Sequence, residues 1–182
     1  MSQLLRIAIT PEEITDSEPQ WVTRILDCGW DMVHLRHPMA SLRDMRNLIE
    51  AIPQRYHSRL RLHGHFILTN EFNLGGIHLN HRCPIPPDNY SGPYSRSCHS
   101  LEEIAASSAC DYVTLSPIFD SISKMGYKAA FSHTELLRLN EITSPRVIAL
   151  GGITPERIEE LTRYNFGGYA VKGAISSFIS LP

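Results

Sequence analysis

The sequence has no apolar run approaching the roughly 20 residues that a helix needs to cross a bilayer, so no membrane span is expected. Its start, Met1-Ser2-Gln3-Leu4-Leu5-Arg6, lacks the charged region and long apolar stretch of a secretory signal. There is no surplus of cations. Lys and Arg total 17 against 19 Asp and Glu, a net charge of −2, which argues against general capture of nucleic acid. Cysteine is scarce: Cys28, Cys83, Cys98 and Cys110 form no C-x-x-C pair, so neither a zinc knuckle nor a redox dithiol is indicated. Reduced thiols in a cytoplasmic protein are the expectation. Linkers, internal repeats and low-complexity segments are also missing. What is present is ordinary globular composition: 182 residues, 42% hydrophobic and 20% charged. That is enough for one domain, 1–182, with its own core.

Strand-like and helix-like segments alternate along the chain. Strands are expected at 4–9, 31–36, 66–69, 76–79, 94–98, 111–115, 146–150 and 168–171. Trp21, Val22, Ile25 and Leu26 mark a first amphipathic helix that Gly29 stops. Ser41 starts a second. Ser100 with Glu103 and Ser132 with Glu135 are capping boxes, and Thr154-Pro155 opens a further helix. Residues 70–75 are too few for a full crossover helix, and 80–93 carry four of the twelve prolines, which forces a loop. Eight strands in βα order, with glycine turns after the last two, indicate a small (β/α)₈ TIM barrel. One or two crossover helices between strands 3, 4 and 5 are expected to be missing or shortened, which accounts for a chain below the roughly 200 residues usual for this fold.

In such a barrel the chemistry sits beyond the C-terminal strand ends. Those positions hold Arg36, His37, Thr69, Asn70, Asn80, His81, Ser97, His99, Ser121, Ser123, Lys124, Gly151, Gly152, Lys172 and Gly173. Cations and hydroxyls outnumber acids there, which suits an anionic, phosphorylated ligand. Gly151-Gly152 and Gly173 allow close backbone approach to an anion, and the helix openings behind them offer unpaired N–H groups. Nine histidines raise the question of a metal. The pairs His34/His37 and His78/His81 are three apart, and in a strand such residues face opposite sides. No metal-ligand set is therefore expected, and His34 and His78 read as buried imidazoles with hydrogen-bond partners. His99 ends a strand just before a helix cap and can serve as a general acid or base.

Several blocks, taken in order, resemble the thiamine phosphate synthase family and its TenI-type thiazole tautomerase relatives. They are Val33-His34-Leu35-Arg36, Gly76-Ile77-His78-Leu79, Ser97-Cys98-His99-Ser100-Leu101-Glu102-Glu103, Asp111-Tyr112-Val113, Ser116-Pro117-Ile118-Phe119, Ser123-Lys124, Ala149-Leu150-Gly151-Gly152-Ile153 and Gly173-Ala174-Ile175. The synthases join a pyrimidine methyl pyrophosphate to a thiazole phosphate with Mg²⁺ on the pyrophosphate. The tautomerases move a proton on a thiazole carboxylate phosphate. The resemblance implies that Arg36 and Ser97 face pyrophosphate, that Ser121 and Ser123 stand where threonines are usual, that Lys124 matches a family lysine, and that Gly151, Gly152 and Gly173 hold the thiazole phosphate. It also brings departures. The family's Gln-Leu-Arg-x-Lys is His34-Leu35-Arg36-His37-Pro38 here. Asn-Asp after strand three has its counterpart in Thr69-Asn70 or in the shortened segment that follows, and Gly-Gln-Glu-Asp after strand four is replaced by Asn80-His81-Arg82-Cys83. Both Mg²⁺ carboxylates are thus absent from the expected places, and a hard cation wants charged oxygens.

The expected function is that of a thiamine-biosynthesis enzyme acting on a thiazole phosphate, leaning to the tautomerase. An active synthase with Mg²⁺ is the alternative, and a non-catalytic phosphate-binding or regulatory protein is an alternative of another class. The expected catalytic groups are His99, Arg36 and Lys124. Ser97, Ser121, Ser123, Gly151, Gly152, Lys172, Gly173, His37 and Thr69 are expected to bind substrate. No cofactor is assigned beyond Mg²⁺ under the synthase reading. The only partner expected is the small-molecule thiazole phosphate, with self-association left open.

Overall fold

The computed structural model describes residues 4–120 and 129–179. Eight parallel strands close into a barrel in sequence order: β1 (Leu5–Ile9), β2 (Met32–Leu35), β3 (Leu60–Leu62), β4 (Ile77–Leu79), β5 (Tyr94–Cys98), β6 (Tyr112–Leu115), β7 (Arg146–Leu150) and β8 (Gly168–Val171). The last strand pairs with the first, Ala170 opposite Ile7, so no edge remains. Around the barrel lie α1 (Glu18–Asp27), α2 (Leu42–Ala51), α3 (Ile67–Glu71), α4 (Leu101–Ala105), α5 (His133–Leu137) and α6 (Ile158–Leu161). The expected (β/α)₈ architecture is the one observed.

Strand alternation divides the side chains into two cores. Val33, Leu35, Leu60, Leu62, Val113, Leu115, Val147 and Ala149 point outward and pack with Val22, Ile25, Met45, Leu48 and Ile49 of α1 and α2 in the large outer cluster. Burying each Val, Leu, Ile or Met among them contributes about 1.5–3 kcal/mol. The inward set is split. Ile7, Ile9, Ile148 and Ala170 make an apolar wall from β1, β7 and β8, with the Tyr112 ring against it. His34, Arg61, His78, Ser95 and Thr114, from β2 to β6, are polar and buried.

One expected strand is displaced. Residues 66–69 are not the third strand; Phe66 is the N-cap of α3, and β3 is Leu60–Leu62. A short apolar run such as Phe66-Ile67-Leu68-Thr69 fits a strand and a buried helical turn equally by periodicity. The tertiary setting selects the turn: Leu68 is fully buried while Ile67 is 70% exposed. The true strand escapes notice because its central residue, Arg61, is a cation. Inside the barrel that cation reaches Asp111 at 2.6 Å and lies 4.5 Å over the Tyr112 ring. The crossover from β3 to β4 therefore has a shortened helix, α3. Between β4 and β5 the chain has no helix, only a loop that opens on the bridge Asn80–Cys83.

Candidate active site at the barrel mouth

The C-terminal strand ends gather the polar groups at one rim. Gly151-Gly152 after β7 and Lys172-Gly173 after β8 are neighbours, because the two strands run parallel with Leu150 opposite Ala170. Both glycines of the first turn have left-handed backbone, φ +97° at Gly151 and +64° at Gly152. A Cβ on Gly152 would lie 2.4 Å from the Asp120 carbonyl oxygen, so the turn is seated against the segment that follows β6. The N–H groups of Gly152, Gly173 and Ala174 have no backbone acceptor among the described residues. Such uncommitted donors at a rim suit an anion.

Two cations flank these turns. Glu12, in the loop after β1, accepts from Arg36 at 2.8 Å and from Lys172 at 2.7 Å, so one carboxylate holds together side chains 136 positions apart in sequence (172 − 36). The hydrogen bonds from Lys172 and Arg36 and their positive charges hold the Glu12 carboxyl down to about 2. Glu12 was not among the expected site residues. Its only sequence signal is its place just beyond the end of the first strand.

His99 stands at the end of β5, exposed at the rim. Its Nδ1 lies 3.0 Å from the Ser116 carbonyl oxygen, which cannot donate, so Nδ1 carries the proton. The neutral ring then has its lone pair on Nε2, the tautomer of a general base. Ser116 precedes Pro117, whose Cα lies 2.9 Å from where a Cβ of Gly151 would be. His99 is thus linked to the glycine turn through two residues. Its backbone N–H donates to Glu103 at 2.6 Å, while Ser100 Oγ accepts from the Glu103 N–H at 3.2 Å. The Glu103 carboxylate therefore caps the backbone of His99 and fixes the start of α4.

Other expected site residues go elsewhere. His37 is buried with Glu18, Nε2 to Oε1 2.8 Å, and also contacts Thr10 at 3.2 Å. Arg36 and His37 are adjacent, so when Arg36 faces the mouth His37 turns behind the strand. Thr69 is a buried residue of α3, not of a strand end, and its hydroxyl has no partner among the described residues. Ser97 faces the interior, with Oγ 2.9 Å from His78 Nε2. Ser121, Ser123 and Lys124 lie outside the described residues.

Beneath the rim the barrel holds three imidazoles, His34 on β2, His78 on β4 and, between them, His63 just past the end of β3. His34 Nδ1 lies 2.9 Å from His63 Nε2, and the His63 and His78 rings stack at 4.3 Å. His34 Nε2 meets the Tyr112 hydroxyl at 2.6 Å, and His78 Nδ1 meets Ser95 at 2.8 Å. Burial, with the charges of His78 and Arg61, pushes the His34 pKa well below the ordinary histidine value. His63 is lowered by burial, then by His78, His34, Arg36 and Lys172. Burial and Arg61 lower His78 to about 3. All three are neutral at pH 7, and Tyr112 is pushed up to about 12 by burial. Spacing within each histidine pair correctly excludes convergence inside one strand. It does not address convergence across strands, which lie about 4.8 Å apart.

With β3 at Leu60–Leu62, the residues following the third strand are not Thr69-Asn70. The strand ends at Leu62 and is followed by His63-Gly64-His65, while Asn80-His81-Arg82-Cys83 follows β4. Neither end supplies a carboxylate. Glu71, the nearest acid to the earlier counterpart, is held by Arg46 of α2 through two 2.8 Å contacts. These strand ends do not fit the Mg²⁺ site of the synthases.

Comparison with known proteins agrees with this geometry. A thiamine-phosphate pyrophosphorylase structure from Bacteroides thetaiotaomicron superposes with a TM-score of 0.82 at 37% identity, covering 94% of this chain and 83% of that one. A Pyrococcus furiosus thiamine phosphate pyrophosphorylase, 19% identical, shares the fold with a TM-score of 0.79 over 97% of this chain and 89% of its own. A relative from Aquifex aeolicus, provisionally named thiamine-phosphate synthase 2, is 31% identical over 166 residues, 86% of this chain and 87% of its own length. The family described as thiamine monophosphate synthase matches residues 6–175, and the chain belongs to that family.

Proposed function

We propose that this protein binds a thiazole phosphate at its barrel mouth and moves a proton on the thiazole ring, as a tautomerase. The phosphate is received by the Gly151-Gly152 and Lys172-Gly173 turns, with Arg36 and Lys172 as cationic neighbours once Glu12 releases them. His99 is the base, and Glu103 is its positioning residue. The observation that carries this reading is the contact of His99 Nδ1 with the Ser116 carbonyl oxygen. With Nδ1 committed to that oxygen at 3.0 Å, Nε2 is the nitrogen available to a ring proton beside the glycine turn. A positioned base must come within about 2.6–3.2 Å of its proton, directly or through one water.

The second reading is an active synthase, favoured by the names of the relatives. The ends of β3 and β4 argue against it, since His63-Gly64-His65 and Asn80-His81-Arg82-Cys83 provide no oxygen anion for Mg²⁺. The deciding experiment assays thiazole carboxylate phosphate alone, and thiazole phosphate with pyrimidine pyrophosphate and Mg²⁺. The tautomerase reading expects turnover in the first assay only. His99→Asn is expected to lower that rate by roughly 10²–10⁴ with nearly unchanged ligand affinity. Equal rates in wild type and variant remove His99 from the mechanism. Binding without turnover in either assay supports a silent phosphate-binding protein.

A further inference from the structure

We propose that His34, His63 and His78 bind one divalent transition-metal ion of the zinc class inside the barrel, with a fourth position open to water or an anion. The site goes beyond the thiazole phosphate reading and stands or falls without it. One ring nitrogen from each histidine lies within 4.8 Å of the other two. A tetrahedral ion bound at about 2.0–2.1 Å to each nitrogen sets neighbouring ligand atoms about 3.3 Å apart. The 2.9 Å gap between His34 Nδ1 and His63 Nε2 has to open by only a few tenths of an ångström to reach this.

Two of the three rings are already anchored away from the ion, while His63 Nδ1 has no partner among the described residues. Tyr112 holds His34 Nε2 at 2.6 Å. Ser95 and Ser97 hold the two nitrogens of His78 at 2.8 and 2.9 Å, so either can keep the ring oriented while the other nitrogen turns to the metal. Partners of this kind fix ring orientation and tautomer in histidine metal sites. A donor set of imidazoles alone favours zinc, cobalt, nickel or copper over Mg²⁺ or Ca²⁺, which want oxygen.

Two features argue for an open fourth position. His63 is only partly buried, whereas His34 and His78 are fully enclosed. The buried Thr114 hydroxyl has no partner among the described residues and sits opposite Ser97 in the β5–β6 register. A water or hydroxide on the ion would satisfy it. Three neutral imidazoles also leave the ion's two positive charges uncompensated, and Arg61 adds another nearby. An anionic fourth ligand is therefore expected. The rival arrangement is a metal-free stack of hydrogen-bonded neutral rings.

The test uses the full chain stripped with a chelator and titrated with Zn²⁺ by calorimetry and with Co²⁺ by visible absorption. The expected result is one equivalent of Zn²⁺ with a Kd below about 1 μM, and the intense visible bands of four-coordinate Co²⁺. His63→Asn, at the partly exposed position, is expected to abolish binding while circular dichroism is unchanged. Tyr112→Phe keeps the ring packing and is expected to weaken binding by about 10–100-fold. His65→Ala and His81→Ala leave it unaltered. No Zn²⁺ binding at that level, weak six-coordinate Co²⁺ bands, or binding lost on His65→Ala or His81→Ala rather than on His63→Asn overturns the proposal.

Discussion

Replacing Gly152 by alanine tests the phosphate turn where its geometry is tightest. The residue has φ +64°, which an L side chain adopts at a cost of about 1–2 kcal/mol. The new Cβ would meet the Asp120 carbonyl oxygen at 2.4 Å, Phe119 Cβ at 2.8 Å and the Phe119 oxygen at 2.9 Å. Two of these three atoms are backbone, so the segment after β6 has to move rather than a flexible side chain. Forcing atoms into a packed site costs about 1–3 kcal/mol. A combined loss near 3 kcal/mol lowers the Tm by about 6–12 °C in a chain of this size. Displacing this segment also disturbs Arg157, which donates to the Gly152 carbonyl at 2.9 Å and stacks over Phe119. Affinity for inorganic phosphate is expected to fall at least about tenfold, or about 1.4 kcal/mol. Gly64→Ala is the control, because a Cβ there meets nothing within 4 Å. Thermal melts and phosphate titration of both variants decide the matter. A Gly152→Ala protein with wild-type Tm and phosphate affinity refutes the reasoning.

Two further outcomes follow from buried polar groups. His37→Ala leaves the buried Glu18 side chain without its partner and is expected to cost about 1–3 kcal/mol in urea unfolding. Thiazole phosphate affinity is expected to hold, since His37 serves the β1–α1 junction; a loss of affinity without loss of stability would return His37 to the binding site. His34, His63 and His78 have lowered pKa values in the folded state, so the unfolded chain binds more protons below about pH 6.5. Their contribution is full above that value and is lost as pH falls, for His78 down to about 3. Each gives up to about 1.4 kcal/mol per pH unit within its window. Urea midpoints at pH 7 and 5 should differ accordingly, and a flat profile would contradict burial of the three rings.

The alternating pattern and the glycine turns carry the barrel in the sequence itself. Strand period, helix caps and Gly151-Gly152 are local properties, set by backbone sterics and by residues three or four apart. They locate seven of the eight strands and the two glycine-bearing turns after β7 and β8 without reference to any distant residue. The third strand is different. Leu60-Arg61-Leu62 becomes a strand because Arg61 finds Asp111 and the Tyr112 ring across the barrel, partners about 50 positions away. The same limit governs the site. His99 and the glycine turns are legible because their positions follow from a strand end. Glu12 bridging Arg36 and Lys172, the withdrawal of His37 behind β2, and the meeting of His34, His63 and His78 are not. Each depends on which strands become neighbours and which faces turn inward. Sheet order and strand alternation decide both: β2, the end of β3 and β4 turn His34, His63 and His78 inward together, and closure, by pairing β8 with β1, brings Lys172 to Glu12.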